Sequence, residues 1–152
     1  MKARDVMSAP VITLRPDTPA RAAAALLVSH GFTAAPVVDA ERRITGIATE
    51  ADLVRDRIRP EGWPRAAERP DPPVERVMTP VPVTMRPEDD LADVVSLMLE
   101  EQVRSVPIVE DGVLVGIVSR RDVLRVVARG ELTSEDVWRR RTGVGSPQHA
   151  ES

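Results

Sequence analysis

The heptapeptide GIATEAD at residues 46–52 returns as GIVSRRD at residues 116–122, and both copies follow the pattern Gly-apolar-apolar-Ser/Thr-x-x-Asp. Other pairs recur at nearly the same spacing: Val6-Met7 aligns with Val77-Met78, and Pro36 aligns with Pro107. Self-similarity at one fixed period is typical of repeated structural units. The sequence therefore predicts two copies of one folding unit.

The predicted boundaries of these copies are residues 3–58 and 74–129. Residues 59–73 contain five prolines and a glycine, which interrupt helices and strands, so this segment is predicted to be a linker. Residues 130–152 are predicted to form a short helix at Ser134–Arg140 and a flexible polar tail.

Local signals within each copy predict the order strand, helix, strand, strand, helix. Thr18 and Asp89 are the predicted N-caps of the first helices, Gly31 is a predicted helix stop, and Asp111-Gly112 is a hairpin signal. The predicted extended segments are Val11–Leu14, Ala35–Asp39, Ile44–Ala48, Val83–Met85, Ser105–Glu110 and Leu114–Val118, and the predicted helices are Ala20–His30, Glu50 to about Ile58, Leu91–Gln102 and Arg120 to about Ala128.

The expected fold class is α/β of the α+β type, with the two copies packed sheet to sheet. Each predicted strand is short and almost wholly apolar, so a single copy would leave much of its sheet exposed to water. Burying both sheets against each other removes that exposed surface.

Composition narrows the classes of function. A net charge of −3 gives no general attraction for phosphate backbones, so a nucleic-acid partner is not expected. The absence of cysteine excludes thiolate chemistry and is consistent with a cytoplasmic location. Neither a signal peptide nor a membrane-spanning segment is predicted.

The repeated motif offers a site for an anion and a sugar. Thr49 and Ser119 lie where a strand gives way to a helix, whose free N–H groups favour phosphate. Asp52 and Asp122 follow one turn later, and a carboxylate can accept both hydroxyls of a ribose.

The same spacing also defines a capping box, in which the hydroxyl and the acid only stabilise the helix start. Three observations favour a ligand: the leading glycine, the recurrence in both copies, and aspartate where Glu or Gln is usual. The two roles are compatible, so both interpretations stay open.

With its motifs in this order, the sequence resembles the CBS-domain family, named for cystathionine β-synthase. The resemblance rests on Val6–Ser8 with Val77–Thr79, on the segments beginning at Pro36 and Pro107, and on both glycine motifs. It implies a stand-alone, Bateman-type pair with pseudo-two-fold symmetry, whose clefts hold AMP, ADP, ATP, S-adenosylmethionine or related ligands.

The resemblance also implies the site residues. Asp52 and Asp122 are expected to hold ribose, while Thr49 and Ser119 are expected to meet phosphate. Arg104 stands where relatives place a phosphate-reaching basic residue, whereas its counterpart is Thr33, so the two clefts are expected to differ. The residues expected around adenine are Ser8, Val11, Ile12, Ala35, Val37, Thr79, Pro82, Val83, Val106 and Ile108.

The leading functional hypothesis is a regulatory module that binds an adenosine ligand, forms a homodimer and acts on an unidentified effector protein. The alternative is a ligand-free structural or dimerisation module for a partner protein. An enzyme, a catalytic cofactor and a metal site are not expected, because the only histidines, His30 and His149, lie far apart in sequence and no nucleophile stands beside a base.

Overall fold

A computed structural model describes residues 1–57, 71–80 and 83–131. The predicted helix at Ser134–Arg140 and the candidate Pro82 lie outside these residues. The elements, in chain order, are α1 (Ala3–Val6), α2 (Ala20–His30), β1 (Ala34–Val38), β2 (Ile44–Thr49), α3 (Glu50–Arg57), a 3₁₀ turn (Val74–Arg76), α4 (Leu91–Glu101), β3 (Ser105–Glu110), β4 (Val113–Ser119) and α5 (Arg120–Ala128).

The chain forms two compact units. The first, called the Asp52 unit, comprises the described residues of Ile12–Val83 together with Asp111–Leu114. The second, called the Asp122 unit, comprises Met1–Val11, Thr84–Glu110 and the described residues from Val115 onward. Each unit thus contains one glycine motif and the lead-in segment that precedes the other repeat in sequence.

The Asp52 unit is built on a two-stranded antiparallel sheet. β1 pairs with β2 from Ala34 opposite Thr49 to Val38 opposite Ile44. This register brings the C-terminal end of β2, where α3 begins, beside the start of β1. Its hydrophobic core is aliphatic and consists of Leu14, Ala20, Ala23, Leu27, Ala35, Val37, Ala48, Leu53 and Val74.

β3 and β4 form the equivalent two-stranded sheet, and all of it except Val113 and Leu114 belongs to the Asp122 unit. Asp111 and Gly112 join the strands with φ values of 51° and 81°, the positive values that a two-residue hairpin turn requires. The hairpin predicted from this dipeptide is confirmed. The buried cluster consists of Ala3, Leu91, Ala92, Val94, Val95, Met98, Val106, Ile108, Val118 and Val126.

The first predicted strand of each repeat is reduced to a single bridge. Leu14 pairs in parallel with Val37, and Met85 pairs in parallel with Ile108. Two backbone hydrogen bonds hold each bridge. At Leu14, the N–H donates to the Pro36 carbonyl, and the Leu14 carbonyl accepts from the Val38 N–H. The extended conformation was correctly predicted at these two residues, but a full strand at Val11–Leu14 or Val83–Met85 was wrong, because only one residue reaches the sheet edge.

The predicted N-caps Thr18 and Asp89 are also wrong by one residue. The caps are Pro19 and Asp90, and neither side chain makes a capping hydrogen bond. Thr18 and Asp89 instead accept hydrogen bonds from the backbone N–H groups of Arg15 and Arg86. Their side chains therefore close the turn before the helix.

Distant backbone groups take over the capping function. The first N–H of α2, at Ala20, donates to the Pro72 carbonyl at 2.8 Å, and that of α4, at Leu91, donates to the Met1 carbonyl at 2.9 Å. The carboxylate of Asp71 also accepts a hydrogen bond from the N–H of Arg21. Each first helix is thus capped by the segment that leads into the other repeat, which local sequence patterns do not reveal.

The two first helices end differently. Gly31 adopts the left-handed conformation after α2 with φ of 66°, so the predicted stop is confirmed. Gln102 takes the same conformation after α4, with φ of 55°, and ends that helix at Glu101 instead of the predicted Gln102. Among the helices that the structure describes, none is both long and apolar enough to cross a membrane.

Candidate functional site

The first glycine motif places a hydroxyl and a carboxylate at the junction of β2 and α3. The Thr49 N–H donates to Oδ2 of Asp52 at 3.1 Å, and the Asp52 N–H donates to Oγ1 of Thr49 at 3.1 Å. Asp52 is buried, with 8% of its surface exposed. Arg55 approaches its Oδ1 at 3.6 Å, beyond hydrogen-bonding distance. The reciprocal pair is a capping box.

The second motif repeats this arrangement with more bonds. Asp122 accepts from the Ser119 N–H at 2.9 Å and from the Ser119 hydroxyl at 3.0 Å, both through Oδ2. Its Oδ1 accepts from the Ser8 hydroxyl at 3.1 Å and from Arg125 at 3.1 Å. Asp122 is 4% exposed. Both motifs therefore cap their helices, as the spacing allowed, and they differ in how fully the carboxylate is bonded.

The motif glycines have a packing role. A Cβ atom on Gly46 would lie 2.5 Å from the Met78 sulfur and 2.6 Å from the Thr79 carbonyl oxygen. A Cβ on Gly116 would meet the side chain of Met7 in the same way. The close approach of each methionine thus explains the leading glycine, which the sequence alone had counted in favour of a ligand.

Each lead-in segment pairs with the motif of the other repeat. Thr79 exchanges backbone hydrogen bonds with Ile47 at 2.9 and 3.0 Å, and Ser8 exchanges them with Ile117 at 2.8 and 3.1 Å. Ser8 and Thr79 are therefore brought to the motifs of Asp122 and Asp52, respectively. In sequence, Ser8 belongs to the same repeat as Asp52. Comparison of the repeats therefore did not indicate that each lead-in pairs with the motif of the other repeat.

Arg104 directly precedes β3 in sequence, and its backbone lies beside the first residue of α5. Its carbonyl accepts the Arg120 N–H at 3.0 Å, just as the Thr33 carbonyl accepts the Glu50 N–H at 2.8 Å. Around the second motif the helix begins with two exposed arginines, Arg120 and Arg121, whereas the first begins with an exposed glutamate. The second motif therefore has the more positive surroundings.

The apolar candidates divide into buried and partly exposed residues. Ala35, Val37, Val106 and Ile108 are buried in the two cores. Val11, Ile12 and Val83 retain partial or full exposure. In residues 1–57, 71–80 and 83–131, no group of three or more His, Asp or Glu side chains is arranged to hold a metal ion.

Tandem α+β units with a hydroxyl and a buried carboxylate at each strand-to-helix junction define the class of this protein. Residues 3–58 and 74–129 both match the model of the CBS domain. The chain therefore belongs to the CBS domain family and carries two copies of the domain.

Relatives of similar length support this assignment. The CBS domain-containing protein YhcV of Bacillus subtilis is 32% identical over 120 residues, covering 79% of this chain and 81% of its own length. Three longer curated relatives are matched over 14%, 32% and 24% of their lengths.

Solved CBS domain pairs have the same fold. The CBS domain pair of protein MJ0100, in complex with 5′-methylthioadenosine and S-adenosyl-L-methionine, is 25% identical with a TM-score of 0.72, covering 86% of this chain and 98% of that chain. CBSX2 of Arabidopsis thaliana, in complex with AMP, is 27% identical with a TM-score of 0.71 and has the same coverage.

Proposed function

We propose that the protein is a regulatory module that binds an adenosine-containing ligand and passes the signal to another protein. The observation that carries this proposal is the repeated pair of a hydroxyl and a buried carboxylate at a helix N-terminus. It is supported by two similar CBS domain pairs that were solved in complex with AMP or with 5′-methylthioadenosine and S-adenosyl-L-methionine. The helix N-terminus attracts phosphate or another electronegative group, and the carboxylate accepts ribose hydroxyls.

In this proposal Thr49 with Asp52, and Ser119 with Asp122, contact the ribose and phosphate side of the ligand. Arg104 adds positive charge beside Ser119. The adenine lies against the lead-in residues Ser8, Val11, Ile12, Thr79, Pro82 and Val83. The strand residues Ala35, Val37, Val106 and Ile108 contact it through their backbone, because their side chains are buried in the cores.

Calorimetry with AMP, ADP, ATP and S-adenosylmethionine tests this function. We expect at least one of the four to bind, and the double variant Asp52→Asn/Asp122→Asn to weaken that binding by about tenfold at each site, since each site loses one charged acceptor and a charged hydrogen bond contributes about tenfold. Asp17→Asn, an exposed carboxylate ahead of α2, is the matched control and should bind like the wild type. Absence of binding for all four ligands would overturn the proposal.

The complete capping boxes favour a second candidate, a structural or dimerisation module whose motifs only stabilise helices. This candidate predicts that Asp52→Asn lowers the free energy of unfolding slightly and leaves ligand titrations flat. Ligand binding that depends on the motif aspartates would exclude it.

We also propose a homodimer, which either function accommodates. Val28 and Leu99, equivalent in the two repeats, are 82% and 53% exposed, and the equivalent pair Val54 and Leu124 is 54% and 65% exposed. Exposed apolar residues at matching positions of two helix pairs suit a symmetric contact with a second copy. Light scattering should give a dimer for the wild type and a monomer for Val28→Lys/Leu99→Lys; a monomeric wild type would contradict this.

A further inference from the structure

The two motif aspartates differ in the hydrogen-bonding capacity that remains for a ligand. An ionised carboxylate has about four acceptor positions. Asp122 receives four donors: the Ser119 N–H, the Ser119 hydroxyl, the Ser8 hydroxyl and Arg125. Asp52 receives one hydrogen bond from the described residues, that of the Thr49 N–H, and a longer ion pair with Arg55.

The motif hydroxyls, those of Thr49 and Ser119, also differ in their remaining capacity to bond to a ligand. The Ser119 hydroxyl donates its hydrogen to Asp122, so it cannot also donate to a phosphate. The Thr49 hydroxyl accepts from the Asp52 N–H, and no acceptor for its own hydrogen occurs among the described residues. Both Thr49 and Asp52 therefore keep capacity for a ligand that their counterparts use internally.

One side chain from the exchanged lead-ins, that of Ser8, accounts for one of the three donors that Asp122 has beyond the one described for Asp52. Ser8 and Thr79 have equivalent backbone pairings, yet the Ser8 hydroxyl bonds to Asp122, whereas the described residues contain no bond from Thr79 to Asp52. The extra methyl group of threonine restricts its χ1 rotamers, while serine can turn its hydroxyl to suit the carboxylate.

We propose that the motif of Asp52 is the site that an adenosine ligand fills first, and that Ser8 keeps the motif of Asp122 closed by occupying the acceptor position a ribose hydroxyl needs. This inference rests on the proposed function and assigns its ligand to one of two sites. Ser8 acts here as a determinant of occupancy through its bond to Asp122, and its proposed place beside adenine applies only once the second site fills.

An uncharged ligand tests this assignment without interference from the arginines near Asp122. We choose 5′-methylthioadenosine, titrated by calorimetry beside AMP, so that ribose bonding is separated from phosphate attraction. Asp52→Asn should weaken binding about tenfold, and Thr79→Ser, which offers Asp52 the same internal bond, should weaken it about threefold or more. Ser8→Ala should add a second binding event.

Ser29→Ala, an exposed serine on α2, is the matched control and should keep the wild-type affinity and stoichiometry. Should an aspartate variant fail to fold, NMR titration of the wild type gives the same information, since the amides of Thr49 and Asp52 should shift at lower ligand concentration than those of Ser119 and Asp122.

Three results would overturn the assignment and leave the proposed function standing: weaker binding in Ser8→Ala, loss of binding in Asp122→Asn but not in Asp52→Asn, or earlier shifts at Ser119. Failure of both ligands, and of ATP and S-adenosylmethionine, to bind the wild type would overturn the proposed function and this inference with it.

Discussion

The Asp52 and Asp122 units are built from the same repeated sequence, yet their equivalent aspartates have different hydrogen-bond partners. Asp122 has four hydrogen-bond donors and lies among arginines. Within the described residues, Asp52 has one hydrogen bond, a longer ion pair with Arg55 and a neighbouring glutamate. Part of the difference arises outside the shared motif, from Ser8 against Thr79, and part within it, from the Ser119 hydroxyl and from the two residues that follow each hydroxyl. A conserved spacing within one chain therefore does not guarantee two equivalent sites.

The largest expected effect on the free energy of unfolding comes from substituting the motif glycines. Gly46→Ala places a methyl group against both the Met78 side chain and the rigid Thr79 carbonyl, so we expect a loss of about 3 kcal/mol in the free energy of unfolding. The three atoms nearest a Cβ on Gly116 all belong to the Met7 side chain, which can shift, so Gly116→Ala should cost about 1.5 kcal/mol. Urea unfolding measures both. Equal losses would show that the Thr79 carbonyl yields as easily as a side chain.

The next effect is the stability that each aspartate contributes. Asp122→Ala removes an acceptor from four donors and should cost about 2 kcal/mol, while Asp52→Ala should cost about 1 kcal/mol, the usual value for a lost cap. Thermal and urea unfolding of the two variants give the comparison. A larger loss for Asp52→Ala would mean that it has partners beyond those described.

Ser8 and Thr79 provide a smaller and more local comparison. Ser8→Ala removes a hydrogen bond to the buried Asp122 and should cost about 1 kcal/mol. Thr79 is exposed, as Ser8 is, but makes no bond to Asp52 within the described residues, so Thr79→Ala should change stability by less than about 0.5 kcal/mol. If the variants proved equally stable, the Ser8 hydroxyl would contribute nothing to holding Asp122.

The smallest expected change in stability comes from substituting Gln102 and Gly31, the residues that end the first helices of the two repeats. Gln102→Gly relieves a non-glycine residue at φ of 55° and should stabilise the protein by about 0.5 kcal/mol, after the greater freedom of glycine in the unfolded chain is subtracted. Gly31→Gln should cost about 1 kcal/mol, because Gly31 has open space around it and only its φ of 66° opposes a side chain. Opposite signs in thermal melts would confirm that backbone conformation decides both.

Most of the secondary structure could be predicted from local signals. The helix Ala20–His30, the strand Ser105–Glu110 and the helix Arg120–Ala128 have the predicted bounds, since hydrophobic pattern, turn residues and caps act over a few residues. The N-caps Thr18 and Asp89 were wrong because the helix starts are capped by carbonyls about 50 and 90 residues away in sequence. No local pattern reports such a partner.

The sequence by itself determined the two repeats, the CBS family resemblance and the hydroxyl and carboxylate that pair at each junction, because each depends on residue type at short spacing. Only the tertiary structure decided that each lead-in joins the unit of the other repeat, that methionine packing explains the motif glycine, and that Ser8 reaches Asp122. Those contacts join segments distant in sequence, and their free energy depends on hydrogen bonds and packing that exist only in the folded chain.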